Sequence, residues 1–179
     1  MSASDLSSSL AEGSKLLDGI LDKNVYRCAF DRKTEALESV LSHVMESGIP
    51  KHFFDQLVHL VSSNLFRPLS WSLSESITHR ALLDCEQGLV EHRQDMMWRH
   101  LAVAYRILQE RIISDVDQGL PPLCGKLDAR FISLIFANLK SNSQDERLAV
   151  QGVLYLMYSE VPSTRRPICR AAANRLAEV

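Results

Sequence analysis

Histidines, acids and cysteines are the residues here that could hold a metal ion or move a proton, and their spacing decides whether they do. A helical metal site needs two histidines four residues apart on one face. His43, His52, His59, His79, His92 and His100 never meet that spacing, so each reads as a surface or hydrogen-bonded side chain. Asp145 and Glu146 are adjacent and point to different sides of a helix, so they cannot act as a tuned carboxylate pair. They suit the positive end of a helix instead. Cys28, Cys85, Cys124 and Cys169 lie far apart with no CxxC pair, which argues against a disulfide framework or a zinc site. Four free thiols fit a reducing compartment, the cytoplasm or the nucleus. GxGxxG, GxxxxGK[ST], HExxH and GxSxG are all missing from the sequence. No catalytic residue, cofactor or metal is expected, and the chain reads as a non-enzyme.

The elements that position these residues are helices. The chain has 179 residues and is 46% hydrophobic and 23% charged, which suits one compact domain or array. Its formal net charge of -2 and scattered lysines and arginines give no basic field for nucleic acid. No run approaches the ~18 apolar residues of a membrane span, and "MSASDLSSSL" lacks the basic start of a signal peptide.

Apolar residues recur at steps of three and four, and alternating β-branched runs are absent. The first helix is expected over roughly Asp5 to Asp22, with Leu6, Leu10, Leu16, Leu17 and Ile20 inward. The second is expected from Asp31 to Ser47, closed by Gly48 as the C′ residue. A third starts at Pro50 and is stopped by Pro68. Leu69 to Arg93 is ambiguous. A fourth helix follows from Gln94 to Val116, and "GLPPLCG" breaks the chain. Asp128 caps a fifth helix bearing Phe131, Ile132, Leu134, Ile135 and Leu139. Ser143-Gln144-Asp145-Glu146 reads as a capping box, with Glu146 reaching back to the serine amide. The sixth helix, through Leu148, Val150, Val153, Leu154, Leu156, Met157 and Tyr158, is apolar over a wide arc and should be covered on two sides. A last helix spans Ser163 to Ala177.

Pairing helices two with three, four with five and six with seven gives units of about forty residues, the period of HEAT or armadillo repeats. Periodicity alone leaves a stacked solenoid and a closed bundle equally open.

Four blocks add more. "KTEALESVLSHVMESGIPKHFFDQLVHLVSSNLFRPL" holds Asn64, Phe66, Arg67 and Leu69 in an Asn-x-Phe-Arg-x-Leu pattern. "CEQ" leads to Trp98, His100, Leu101 and Tyr105. Ser141, Glu146 and Arg147 form a third block, and Leu154, Tyr158, Arg165, Ile168 and Asn174 continue it. In this order, over about Lys33 to Asn174, they resemble the N-terminal portion of the B-prime family of protein phosphatase 2A regulatory subunits. The resemblance implies an all-α, HEAT/armadillo-like helical-hairpin array, an α-solenoid, here of about seven or eight helices. Residues 1–30 would be a polar N-terminal arm and first helix, and 31–179 the array.

The resemblance further implies a non-catalytic targeting subunit with the phosphatase scaffold and catalytic subunits and substrate proteins as partners. The family's groove takes LxxIxE-type peptides, and its positions carry over to Gln151, Tyr155, Leu156, Tyr158 and Arg165. The family has Lys, His, Arg, Tyr and Arg there. Only Tyr158 and Arg165 agree, so such peptides are expected to bind this chain poorly. Read without the resemblance, Tyr158 would be a packed core aromatic and Arg165 a solvated cation. A helical adaptor without phosphatase association is the rival function, and a small helical-bundle enzyme is a third. The last helix, with Ile168, Ala171, Ala172 and Leu176 on its less polar side, is expected to be a contact site through which the C-terminal end associates with itself or a partner.

Overall fold

The computed structural model describes residues 3–15, 23–66, 87–119, 127–141 and 143–177. These residues form seven α-helices: α1 (Ala3–Gly13), α2 (Lys23–Glu46), α3 (Phe54–Leu65), α4 (Gln87–Asp117), α5 (Ala129–Ala137), α6 (Gln144–Glu160) and α7 (Arg165–Ala177). Three short 3-10 turns, Lys51–Phe53, Asn138–Lys140 and Pro162–Thr164, lead into α3, out of α5 and into α7. No strand occurs among the described residues.

The helices stack in two layers. In one layer α2 packs on α4 and α4 on α6; in the other α1 packs on α3 and α5 on α7. Phe66, just past α3, meets Phe131 of α5 edge-on at 5.0 Å and joins the second layer across its middle. Across the layers α1 pairs with α2, α3 with α4, and α5 with α6. This is a HEAT/armadillo-like array, and the closed-bundle alternative is set aside. Two of the expected pairs, two with three and four with five, are replaced by α1 with α2 and α3 with α4, whereas α6 packs on α7 as expected. Short links occur both inside and between the repeats, as at Ser47–Pro50 and at Val161, so link length does not mark the hairpin.

Local chemistry sets the helix ends. α1 stops at Gly13, earlier than expected. A Cβ on Gly13 would stand 2.9 Å from a Leu60 methyl and 3.3 Å from a Leu37 methyl, so a larger residue there would push both leucine side chains aside. The Gly13 carbonyl accepts from Asn64 Nδ2 at 2.9 Å, and the Lys15 carbonyl accepts from Lys33 Nζ at 2.7 Å. Leu16, Leu17 and Ile20 lie outside the described residues. α2 begins eight residues earlier than expected because no glycine or proline interrupts Lys23 to Asp31. The expected boundary at residues 30 and 31 therefore falls inside α2, and Leu6 and Leu10 of α1 belong to the common core rather than to a polar arm. Gly48, at φ +69, closes α2 as expected. Asp128 caps α5 through the Phe131 amide at 2.8 Å. Arg67, Pro68, Leu69, the stretch 70–86, Cys85 and Cys124 lie outside the described residues.

The core runs continuously through both layers. Leu37, Leu57, Leu60, Ile107, Leu108, Ile132, Ile135, Val150, Val153 and Met157 are fully buried in it. Each such side chain contributes about 1.5–3 kcal/mol by leaving water. No described helix is long and apolar enough to cross a membrane.

Candidate functional site

Three polar groups inside the array must be separated from the groups that face solvent. The first joins α4 to α6. Tyr105 Oη donates to Glu146 Oε1 at 3.3 Å, and Asn138 Nδ2 donates to both Tyr105 Oη (3.0 Å) and the Leu65 carbonyl (2.9 Å). Ser141 Oγ donates to Glu146 Oε2, while the Ser143 amide donates to Ser141 Oγ at 3.2 Å. The capping box is thus only half formed. Ser143 Oγ takes the Glu146 amide at 3.3 Å as expected. Glu146 itself is fully buried and gives its carboxylate to Tyr105 and Ser141, because α4 packs over the start of α6. A buried carboxylate in an apolar core is tolerated only when such donors surround it.

The second is His100, stacked on Phe30 at 3.8 Å. Its Nε2 lies 2.8 Å from Thr34 Oγ1 and 3.2 Å from the Phe30 carbonyl. Thr34 Oγ1 donates to that same carbonyl at 2.9 Å, which suits Nε2 as the N–H donor to both oxygens. Burial pushes its pKa down to about 4, and the charges of Lys33 and Arg99 push the same way; the Phe30 carbonyl and Asp31 act in the opposite sense. The third is Arg111, which is paired with Asp115 one turn on and lies 4.4 Å over the Phe54 ring, both charges being buried. All three groups hold helices together, and none opens into a cleft.

The candidate groove positions lie elsewhere. Gln151, Tyr155 and Tyr158 follow one another on a single stripe of α6, and all three are exposed. Tyr155 is 76% exposed and Leu148, one turn before Gln151, is 54% exposed. Leu156 is half-buried against the core and is turned away from that stripe. α6 is covered on two sides, as expected from its apolar arc, by α4 in its own layer and by α5 and α7 of the other. Glu146, Val150, Val153, Leu154 and Met157 are buried there, but Leu148, counted in that arc, is not. Nor is Tyr158 a core aromatic; it is 46% exposed.

Arg165 meets Tyr158 at the end of α6. Its Nε donates to the Tyr158 carbonyl at 2.8 Å and its Nη2 to the Ser159 carbonyl at 2.9 Å. Its guanidinium lies 5.7 Å from the centre of the Tyr158 ring. The cation caps the negative end of α6 and keeps the remaining N–H groups of the fork available. A carboxylate or an apolar side chain could meet this pair. The structure thus brings together Tyr158 and Arg165, sets Gln151 and Tyr155 beside them on the stripe, and leaves Leu156 apart.

Several residues that carry the sequence resemblance sit at the joints between repeats. Asn64 ties α3 to α1, Phe66 meets Phe131, and Trp98 lies 6.5 Å from Tyr105. His100, Tyr105, Ser141 and Glu146 form the polar links just described. Reading the sequence alone missed the Arg111–Asp115 pair, although an Arg and an Asp four apart on one helix face were the available signal.

A two-layered helical array with an open stripe on one helix defines the class: a helical-repeat protein. Residues 7–179 match the family described as Protein phosphatase 2A regulatory B subunit (B56 family). The chain belongs to that family of phosphatase regulatory subunits, the one that its four sequence blocks resemble. The family is regulatory and non-catalytic. Compared with individual curated proteins, the chain gives no match.

Proposed function

We propose that the chain is a targeting subunit. It binds the phosphatase scaffold and catalytic subunits and brings substrate proteins to them, in the cytoplasm or the nucleus. The observation that supports this is the family match over residues 7–179, nearly the whole chain. The stripe Leu148, Gln151, Tyr155 and Tyr158, ending at Arg165, is the surface offered to substrate segments. Its chemistry is aromatic with one cation, in place of the Lys, His and Arg implied by the resemblance at Gln151, Tyr155 and Leu156. Each lost charge-assisted hydrogen bond costs about 1.5–3 kcal/mol, so an LxxIxE peptide binds this surface poorly. Segments rich in apolar side chains with a single acid suit it better.

The test is a change of preference. The purified scaffold–catalytic complex is given a mixture of phosphoproteins with and without this chain. A targeting subunit shifts which proteins lose phosphate and leaves hydrolysis of a small aryl phosphate as it was. The rival adaptor function predicts the same pattern of dephosphorylation in both mixtures.

A further inference from the structure

α5 and α7 leave a groove of about 280 Å³ between them, away from the α6 stripe. Ala129 and Ser133 of α5 line one side; Arg166, Pro167, Arg170, Ala171 and Asn174 of α7 line the other. Arg166, Arg170 and Asn174 recur every fourth residue, so they form one row along α7. Both arginines are exposed, and neither has an ion pair or hydrogen bond among the described residues. That sets them apart from Arg165, Arg147, Arg111 and Arg99, whose guanidiniums are all engaged.

The surroundings are positive. α7 carries four arginines and no acid from Arg165 to Ala177. Arg166 and Pro167 belong to the first turn of α7 and Ala129 to the first turn of α5, so two positive helix ends meet at this groove. The acid beside it, Asp128, is turned back onto the Phe131 amide. Ala129, Pro167 and Ala171 make the floor apolar, and Asn174 adds an amide at the far end of the row. Two guanidiniums one turn apart match a dianion with several acceptor oxygens better than a single carboxylate.

We propose that the groove between α5 and α7 binds a phosphorylated serine side chain of a partner's extended peptide segment, held by Arg166 and Arg170. The small residues of the floor leave room for the peptide backbone beside the phosphate. The groove shares no residue with the α6 stripe, although Arg165, where the stripe ends, is the neighbour of Arg166 in the chain. Binding there does not depend on association with the phosphatase, so it is testable on the chain alone.

Fluorescence anisotropy with a fluorescein-labelled, alanine-based peptide bearing one central phosphoserine is the experiment. Two control peptides carry unmodified serine and glutamate at that position. The phosphopeptide should bind about tenfold or more tighter than either, and weaken steeply with added salt. Arg166→Ala with Arg170→Ala should lower its affinity by about tenfold or more with the thermal melt unchanged; the Lys pair should recover part of the loss. If the double variant melts early, Arg166→Gln alone, a change at an exposed position, must still weaken the phosphopeptide selectively. Equal binding of the three peptides overturns the proposal, as does undiminished binding by a folded double variant. Tighter association with phosphatidylserine vesicles than with the phosphopeptide would overturn the assignment to a peptide.

Discussion

The contact of α4 with α6 and the outer stripe of α6 belong to the same helix yet follow opposite rules. On the inner side Glu146 is fully buried and takes bonds from Tyr105 and Ser141, while Asn138 links Tyr105 to the end of α3. Change one partner there and its neighbours each lose a bond inside the core. On the outer side Leu148, Gln151 and Tyr155 are exposed and can change freely. The resemblance to the regulatory-subunit family rests mostly on the inner residues, and the departures from it, Gln151, Tyr155 and Leu156, fall on or beside the outer stripe. The inner side sets what fold the chain has. The outer side is where the proposed selection of substrates would lie.

The largest effect should come from the buried ion pair. Asp115→Ala leaves the Arg111 charge buried without its partner, and a loss of about 3–5 kcal/mol of stability is expected in urea titration. A loss below about 1 kcal/mol would mean that Arg111 can reach water and that the interior is less closed than described.

Next in size is the pH response of His100. Its folded pKa is about 4, below the ordinary 6.5, so the unfolded chain binds more protons between those values. Its contribution to stability is fully present above about pH 6.5 and falls as pH drops toward 4, by a total on the order of 3 kcal/mol. Melts recorded across that window should show the slope, and His100→Gln should flatten it.

Legibility in the sequence follows the same division. Helical spacing revealed the existence of most helices, and Asp128 and Ser143 marked two starts that the structure confirms. The end of α1 was not legible, because the carbonyls of Gly13 and Lys15 are taken by Asn64 and Lys33, which lie far along the chain. Repeat pairing was hidden because the links inside and between hairpins are alike. Glu146 looked like a local capping residue; its tie to Tyr105, forty-one positions earlier, is a tertiary fact. At the candidate stripe, the resemblance supplied Gln151, Tyr155, Leu156, Tyr158 and Arg165, while spacing had counted Leu156 and Tyr158 in the apolar arc of α6. Whether each of them faced core or solvent depended on packing against α4.

On the outer side stability effects should be small. Tyr155→Ser should change stability by less than about 0.5 kcal/mol, since the ring is mostly in water. The same variant should weaken retention of substrate proteins; a large stability loss instead would make the ring structural. Calorimetry should show an LxxIxE peptide binding weakly or not at all, and low-micromolar affinity would contradict the reading of Gln151, Tyr155 and Leu156. Should weak binding be seen, Arg165→Ala should abolish it. We propose that the C-terminal end self-associates through Leu176, which is 79% exposed on α7. Light scattering at rising concentration should show a larger species that Leu176→Asp removes, and a monomer throughout would end that proposal.

The central proposal, that this stacked helical array serves the phosphatase, is tested most directly by calorimetric titration of the purified scaffold–catalytic complex with the full chain at neutral pH. The account predicts saturable binding of one chain per complex, retained by Tyr155→Ser. No heat of binding from a chain shown by circular dichroism to be helical and cooperatively folded would contradict it.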